Sequence, residues 1–211
     1  MSFKEKKYEV WKEAISPDLA SFCYRYMLTK KQTHDFFREQ KYISPYEESH
    51  GMPTCEQIPN TFNIYCDVAM ETLAQQFAPR LSKKVNMDLH HQYTFARVYK
   101  HGDELFRHKD RPACEISCTL NLGGDEWPIF IDGSGGYNNE GTKLILNPGD
   151  LLIYRGCDLE HWREPFEGDR VVQVFLHYND RNGPFKDSCD RYDAKPLPAL
   201  PAYFRDPSFI K

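Results

Sequence analysis

A histidine and an aspartate two positions apart, His108 and Asp110, are the residues of this sequence best suited to hold a metal ion. On a β-strand, residues two positions apart point to the same face, so these two side chains are expected to project side by side. A His-x-Asp triplet alone is common by chance, and a site needs a further ligand. His161 lies 51 residues beyond Asp110, after several strand-like segments, and can supply it. Two imidazoles and one carboxylate predict a metal with open positions on its far side.

A basic residue extends the pattern, because Arg170 follows nine residues after His161 and opens the apolar segment 171–176. The pattern resembles the motif of 2-oxoglutarate- and Fe(II)-dependent dioxygenases of the prolyl 4-hydroxylase-like family. The residues that match it in order and spacing are Tyr99, His108, Asp110, His161 and Arg170. The resemblance covers residues 93–178, and the segments on either side carry no motif of that family.

The resemblance implies an enzyme in which His108, Asp110 and His161 bind Fe(II). It also implies 2-oxoglutarate as cosubstrate, O2 as oxidant and ascorbate as an optional cofactor. In this family 2-oxoglutarate is converted to succinate and CO2 while an unactivated C–H of the substrate is hydroxylated. Related halogenases lack the carboxylate ligand, so the presence of Asp110 favours hydroxylation. The expected substrate is a prolyl or other amino-acid residue of a peptide or protein.

The same resemblance assigns cosubstrate contacts. Arg170 is expected to face inward and to hold the distal carboxylate of 2-oxoglutarate through two parallel hydrogen bonds. Tyr99 resembles the family's phenol that hydrogen-bonds to the same carboxylate. Thr119 or Asn121, on the strand after the first ligands, is expected to add a third polar contact, and the sequence does not choose between them. Arg163 shares a face with His161 if that segment is extended, and is expected to contact substrate.

Composition excludes some classes of function. The net charge of −4 and the pI near 6.1 argue against general affinity for nucleic acid. Residues 1–7 contain no apolar core, so no signal peptide is expected, and no segment is long and apolar enough to span a membrane. Seven cysteines without a CxxC pair then predict reduced thiols in a cytoplasmic protein. A zinc site built from these cysteines is the alternative.

Two helices are predicted before the strands begin. Residues 8–40 have helical periodicity, with Ser16-Pro17-Asp18 as a helix start, and a second helix is predicted from Thr61 to about Leu81 with Pro79 in its final turn. Between them, residues 42–59 are rich in proline and polar residues and are typical of a long loop. Such a loop is either a lid over the site or a plain connector.

From Tyr93 the periodicity becomes that of strands, which are predicted at 93–99, 115–122, 127–131, 143–146, 151–154 and 170–178. This favours a mainly β fold with flanking helices, in which a double-stranded β-helix (jelly-roll) core is supported by the N-terminal helices. We expect a single domain over 1–211. It divides into helical support and loop (1–90), catalytic core (91–180) and an extended, proline-rich tail (181–211) that Tyr203, Phe204 and Phe209 can pin.

Two other functions remain open from the sequence. A non-catalytic, cupin-like jelly-roll module with a metal site does not explain why Arg170 accompanies an intact ligand set. A hydroxylase of a small metabolite fits every residue named above as well as a peptide hydroxylase does. Formation of succinate from 2-oxoglutarate separates the enzyme from the binding module, but it does not identify the substrate.

Overall fold

The computed structural model describes residues 3–134, 139–188 and 190–205. Its helices are α1 (Phe3–Lys6), α2 (Pro17–Glu39) and α3 (Val68–Val85). Its strands are β1 (Tyr8–Trp11), β2 (Phe62–Tyr65), β3 (Leu89–Lys100), β4 (Leu105–His108), β5 (Ile116–Gly124), β6 (Ile129–Asp132), β7 (Thr142–Leu144), β8 (Leu151–Arg155), β9 (Glu160–Arg163) and β10 (Arg170–Asp180). Short 3-10 turns cover Pro112–Cys114 and Ala202–Phe204.

The strands form two antiparallel sheets that pack face to face. The larger sheet has the order β1-β8-β5-β10-β3-β2, and the smaller has the order β4-β9-β6-β7. Ile129 and Ile131 of the smaller sheet pack with Leu152 and Tyr154 of the larger one, so the two inner faces share a core. This arrangement confirms the predicted mainly β fold with a double-stranded β-helix core and flanking helices.

Alternation along β10 decides which of its side chains lie between the sheets. The helix-facing set packs against α2 and α3 and consists of Val172, Val174, Leu176 and Tyr178. Burying each of these aliphatic side chains contributes about 1.5–3 kcal/mol, and the hydroxyl of Tyr178 donates to the carbonyl of Ala74 at 2.7 Å. The set that faces the smaller sheet consists of Val171, Gln173, Phe175 and His177.

Both helices start later than the sequence predicts. The hydroxyl of Ser16 accepts from the backbone N–H of Leu19 at 3.2 Å, so Ser16 caps α2 as expected, but residues 8–11 form a strand instead of helix. Asp67 caps α3, and residues 62–65 before it also form a strand. Pro79 lies inside α3 and not in its final turn. The two extra strands, β1 and β2, extend the larger sheet at its two edges.

The tail contacts the domain through residues other than those expected. Tyr203 and Phe204 are 76% and 46% exposed, and Phe209 lies outside the described residues. Tyr192 is buried instead, and its hydroxyl accepts from Gln75 at 3.0 Å. The backbone N–H of Ala199 donates to the carbonyl of Cys66 at 2.9 Å. Within the described ranges, no helix combines the length and the apolar character needed to cross a membrane.

Candidate metal centre and cavity

The three predicted ligands lie together between the two sheets. His108 ends β4, Asp110 follows two residues later and His161 lies on β9. Oδ1 of Asp110 is 3.7 Å from Nε2 of His108 and 3.6 Å from Nε2 of His161. One ligand atom from each residue lies within 4.8 Å of the others, and no second such group of His, Cys, Asp or Glu occurs among the residues described above. This spacing suits a single metal ion.

Backbone carbonyls orient both imidazole rings. Nδ1 of His108 is 2.8 Å from the carbonyl oxygen of Phe106, and Nδ1 of His161 is 3.3 Å from that of Leu159. These contacts favour the tautomer that carries its proton on Nδ1, which leaves Nε2 of both rings unprotonated on the side of Asp110. Burial lowers the pKa of His161, so its ring is held in the neutral form that binds metals.

Asp110 is positioned by groups that the sequence does not single out. The hydroxyl of Ser117 donates to Oδ2 at 2.5 Å, which leaves Oδ1 for the metal side. Burial disfavours the carboxylate, but His161 and its neighbours outweigh this effect and hold the pKa of Asp110 below its usual value. Gly156 is required here, because a Cβ at that position would lie 2.3 Å from Oδ2. Ser117 is seven residues and Gly156 is 46 residues from Asp110, and no motif in the sequence marks either contact.

A cavity of about 500 Å³ opens beside the three ligands. Small-molecule sites in proteins commonly have volumes of about 300–1,000 Å³. The larger sheet contributes an aromatic wall, which consists of Tyr65, Tyr93, Phe95, Tyr154 and Phe175. Part of the loop 42–59 forms another side, through Met52, Thr54, Cys55, Glu56 and Gln57. The loop therefore reaches the candidate site, as a lid would.

Arg163 is a fully enclosed cation close to this centre. It lies two residues after His161 on β9 and faces the same interior. Its Nη2 donates to Oε1 of Gln173 at 2.8 Å and its Nη1 donates to the carbonyl of Trp127, but its Nε has no partner. No acidic side chain pairs with it among the described residues, and burial lowers the pKa of Arg163 to about 10. A buried cation without a counter-ion is a strong indication of an anion site.

Two further predicted residues, Tyr99 on β3 and Thr119 on β5, are buried. The hydroxyls of Tyr99 and Thr119 are buried, and each lies beside another polar side chain, Tyr99 beside Arg97 and Thr119 beside Tyr154. The ring of Tyr99 packs edge-on against Trp127, with ring centroids 4.8 Å apart. Neither hydroxyl makes a well-formed hydrogen bond there, so each keeps capacity for a further partner.

Arg170 and Asn121 are not brought to the site. Arg170 belongs to the helix-facing set of β10, is exposed, and lines a surface depression with residues of α2. The sequence-based expectation that it faces inward is therefore corrected, since the alternation of β10 turns it away. The side chain of Asn121 is already satisfied, because its Nδ2 donates to the carbonyl of Leu146 at 2.6 Å and its Oδ1 accepts from Gly123 at 3.1 Å.

The sequence pattern also misses Arg97 and Gln57. Arg97 lies on β3, lines the cavity and is 3% exposed. Its Nη2 donates to Oε1 of Gln57 at 2.7 Å, and Nε2 of Gln57 lies 3.1 Å from Nε2 of His108. The sequence does contain a signal for Arg97. It lies on the same face of the predicted strand as Tyr93, Phe95 and Tyr99, because these residues are two positions apart. Gln57 comes from a loop, and no signal marks it.

Comparisons with known proteins place the fold. The sequence matches no protein-family model and no curated protein. Among solved structures, the chain is similar to the non-heme alpha-ketoglutarate-dependent epimerase SnoN from nogalamycin biosynthesis, with 12% identity and a TM-score of 0.60 over 94% of this chain and 91% of that one. It is also similar to a Pseudomonas putida prolyl-4-hydroxylase, with 14% identity and a TM-score of 0.53 over 83% and 94% of the two chains.

EctD from S. alaskensis is a third similar structure. The form with bound Fe has 12% identity and a TM-score of 0.59, and the match covers 92% of this chain and 79% of that one. A second form holds 2-oxoglutarate and 5-hydroxyectoine and has a TM-score of 0.56 with 12% identity over 85% and 74% of the chains. At these identities the likeness establishes the fold, and the reaction has to be argued from the site itself.

Proposed function

We propose that this chain, which has the fold of 2-oxoglutarate- and Fe(II)-dependent oxygenases, is itself such an enzyme and hydroxylates an unactivated C–H bond. The observation that carries the proposal is the triad of His108, Asp110 and His161, whose ligand atoms lie within 4.8 Å of one another. Two imidazoles and a carboxylate are the ligand set of non-haem Fe(II) oxygenases. The resemblance in sequence and the likeness in fold support the same conclusion independently.

The chain's residues fit an iron ion. Both histidines keep Nε2 on the side of Asp110, and Ser117 holds the second carboxylate oxygen away from it. Iron bound there, together with 2-oxoglutarate and O2, supplies an oxidation in which 2-oxoglutarate, O2 and R–H give succinate, CO2 and R–OH. The protein's part is to hold the three ligands on one side, to bind the two organic molecules and to exclude water from them.

Arg163 fits the distal carboxylate of 2-oxoglutarate in place of Arg170. Arg163 lies two residues after His161 on β9 and shares its face, so the guanidinium and the metal centre would bind the two ends of one 2-oxoglutarate molecule. Tyr99 lies near the guanidinium of Arg163 and is the predicted residue that would share the cosubstrate carboxylate with it. Gln173 fixes the guanidinium through its side-chain oxygen. Arg163 is therefore assigned to binding the cosubstrate, whereas the sequence analysis expected it to contact the substrate.

The class of substrate that is hydroxylated is a separate question. A prolyl or other amino-acid residue of a peptide is the substrate suggested by the sequence resemblance, and the likeness to a prolyl-4-hydroxylase supports it at the level of fold. A small metabolite is the second candidate, and the cavity volume of about 500 Å³ favours it. Ascorbate, if it is required, would act as a reductant, and none of the described contacts depends on it.

Succinate formation tests the proposal. Purified protein with Fe(II), 2-oxoglutarate and air should release succinate, and the Asp110→Ala variant under the same conditions should release none. The matched control is Asp169→Ala, an exposed carboxylate away from the cavity, which should behave as the wild type. Metal bound tightly by the wild type without any 2-oxoglutarate consumption would instead favour the non-catalytic module.

A further inference from the structure

Arg97 is a second buried cation for which the described chain supplies no anion. Its Nη2 donates to Oε1 of Gln57 at 2.7 Å and to Sγ of Cys55 at 3.1 Å, whereas its Nε has no partner. Arg111, which lines the same cavity, differs from it, because Arg111 pairs with Asp190 at 2.6 Å. Desolvating a charge is costly without a counter-ion, so the surroundings of Arg97 suit a negatively charged ligand.

Gln57 marks where that ligand would lie. Its carboxamide bridges the guanidinium of Arg97 and the metal-facing Nε2 of His108, at 2.7 and 3.1 Å. A carboxylate has the same planar shape as a carboxamide, and it offers Arg97 two charged acceptors where Gln57 offers one neutral oxygen. Gln57 is exposed and belongs to a loop, so it can leave when a better acceptor arrives. An acid bound in this way lies next to the open side of the metal.

The two arginines differ in their surroundings. Both are buried, but Arg163 is held by Trp127 and Gln173, whereas Arg97 lines the cavity and contacts Cys55 and Gln57 of the loop. In the proposed function, 2-oxoglutarate uses one carboxylate at the metal and the other on Arg163. An anion on Arg97 must therefore belong to a different molecule.

The cavity also offers a surface for the uncharged part of that molecule. Phe95 packs under the guanidinium of Arg97, with its ring centroid 4.5 Å from Cζ. Tyr65 lies against Phe95 at 4.4 Å between ring centroids, and Phe175 lies at 6.1 Å on the other side. This wall is apolar and borders the metal ligands, so a hydrocarbon segment attached to the acid would rest there with its C–H bonds toward the metal.

From these contacts we infer that the primary substrate is a small molecule with a free carboxylate, which Arg97 binds while its apolar segment lies on the wall of Phe95 and Phe175. The inference rests on the proposed function and narrows its substrate class. An internal residue of a peptide has an uncharged amide at the position where Arg97 would bind a negatively charged carboxylate. Gln57 and the loop around it hold the place of the acid until it binds.

The test compares free acids with their amides. Each probe is a free L-amino acid or simple carboxylic acid next to its primary amide, for example L-proline and L-prolinamide, and a proline-rich peptide with blocked termini completes the set. Calorimetry measures binding to the protein loaded with Mn(II) and 2-oxoglutarate under nitrogen. Mass spectrometry then detects products that gain one oxygen with Fe(II) in air. The variants are Arg97→Gln, Arg97→Lys, Arg163→Gln and, as control, Arg170→Gln.

We expect at least one acid to bind more than tenfold tighter than its amide. Arg97→Gln should remove that preference, Arg97→Lys should keep part of it, and both should bind 2-oxoglutarate within about threefold of the wild type. Arg163→Gln should instead weaken 2-oxoglutarate tens-fold, and Arg170→Gln should change neither affinity. Circular dichroism establishes that each variant is folded before these comparisons.

Three results would overturn the inference. The first is that no acid in the set binds better than its amide. The second is that the blocked peptide is hydroxylated equally well by the wild type and Arg97→Gln. The third is that Arg97→Gln, and not Arg163→Gln, loses 2-oxoglutarate, which makes Arg97 the cosubstrate's anchor. In all three the proposed function survives if succinate still forms, and its own failure shows as absence of succinate with every probe.

Discussion

His108 on β4 lies directly opposite His161 on β9, with 4.3 Å between the centroids of their imidazole rings. The two residues are register partners in the smaller sheet, so the spacing of the rings is set by strand pairing and not by a loop. The backbone bulges between Leu105 and His108, which brings His108 into register with His161. A site built on paired strands is held in place before any ligand arrives.

The first prediction concerns the metal. His161→Ala should weaken Fe(II) or Mn(II) binding by more than about 100-fold, a larger effect than the 10- to 100-fold that is typical when a supporting contact is lost. Anaerobic calorimetry measures the affinity. The control is His101→Ala, whose ring lies on the surface against the carbonyl of Glu167 and should leave the affinity unchanged. Equal metal affinity in the two variants would place the metal elsewhere.

The metal ligands could be predicted from sequence because the information is local. His108 and Asp110 are only two residues apart, so they stay close although β4 ends at His108 and Asp110 lies outside the strand. The distal ligand was found through its spacing within a known motif. Ser117 and Gly156 were not found, since each contacts Asp110 from a different strand or turn, and only the folded chain brings them together.

Arg170 illustrates the opposite case. A spacing of nine residues from His161 crosses the loop 164–169, whose length does not determine the phase of the strand that follows. The sequence of β10 does indicate which of its residues face the interior. Gln173 and His177 are the polar residues in an apolar run, and they are four positions apart. They share a face that Arg170 does not share, and that face is the interior one.

The sequence analysis did not predict the two edge strands, β1 and β2, for a different reason. Residues 8–11 and 62–65 are four-residue segments that become strands only because β8 and β3 offer them unpaired edges. The intrinsic strand propensity of four residues is too weak to predict a strand, and the presence of a partner strand decides whether one forms. The strands β3, β5, β8 and β10 were predicted more closely because each contains a run of buried residues.

The second prediction separates the two arginines that compete for the cosubstrate role. Arg163→Gln should weaken 2-oxoglutarate binding by about 2–5 kcal/mol, because a buried, charge-assisted partner is lost. Arg170→Gln should bind 2-oxoglutarate as the wild type does, since its side chain is exposed on the far side of β10. Titration of the Mn(II)-loaded protein under nitrogen measures both. A large loss in Arg170→Gln would mean that β10 adopts another register when the cosubstrate binds.

The third prediction concerns Glu71, which is buried under β3. Its Oε1 accepts from the backbone N–H of Thr94 at 2.6 Å, and its Oε2 lies 3.1 Å from Nε2 of His91. Burial raises the pKa of Glu71 to about 7 despite the contacts with Thr94, and burial lowers the pKa of His91 to about 3. Because the folded pKa of Glu71 lies above its unfolded value, its contribution to stability is complete below about pH 4.5 and is lost as the pH rises through 7.

Glu71→Gln removes this ionisation while keeping an acceptor for Thr94. The variant should gain stability over the wild type as the pH rises from 5 to 8, by an amount on the order of 3 kcal/mol. Thermal unfolding at a series of pH values measures the difference, with the exposed Glu126→Gln as control. His91 contacts the substituted group, so its own contribution, which is lost as the pH falls below 6.5, does not cancel, and the same comparison in a His91→Gln background separates it. A difference that does not change with pH would show that Glu71 stays charged when buried.

The last prediction concerns Gln57, whose amide nitrogen lies 3.1 Å from Nε2 of His108. That nitrogen carries the lone pair that a metal needs, so metal binding and the Gln57 contact compete. A single intramolecular hydrogen bond is worth about 0.5–1.5 kcal/mol, and its removal should therefore strengthen metal binding by about 2- to 10-fold. Calorimetry with Mn(II) compares Gln57→Ala with Gln32→Ala, an exposed glutamine on α2. Weaker metal binding in Gln57→Ala would mean that Gln57 supports His108 instead of blocking it, and the loop would then be part of the metal site.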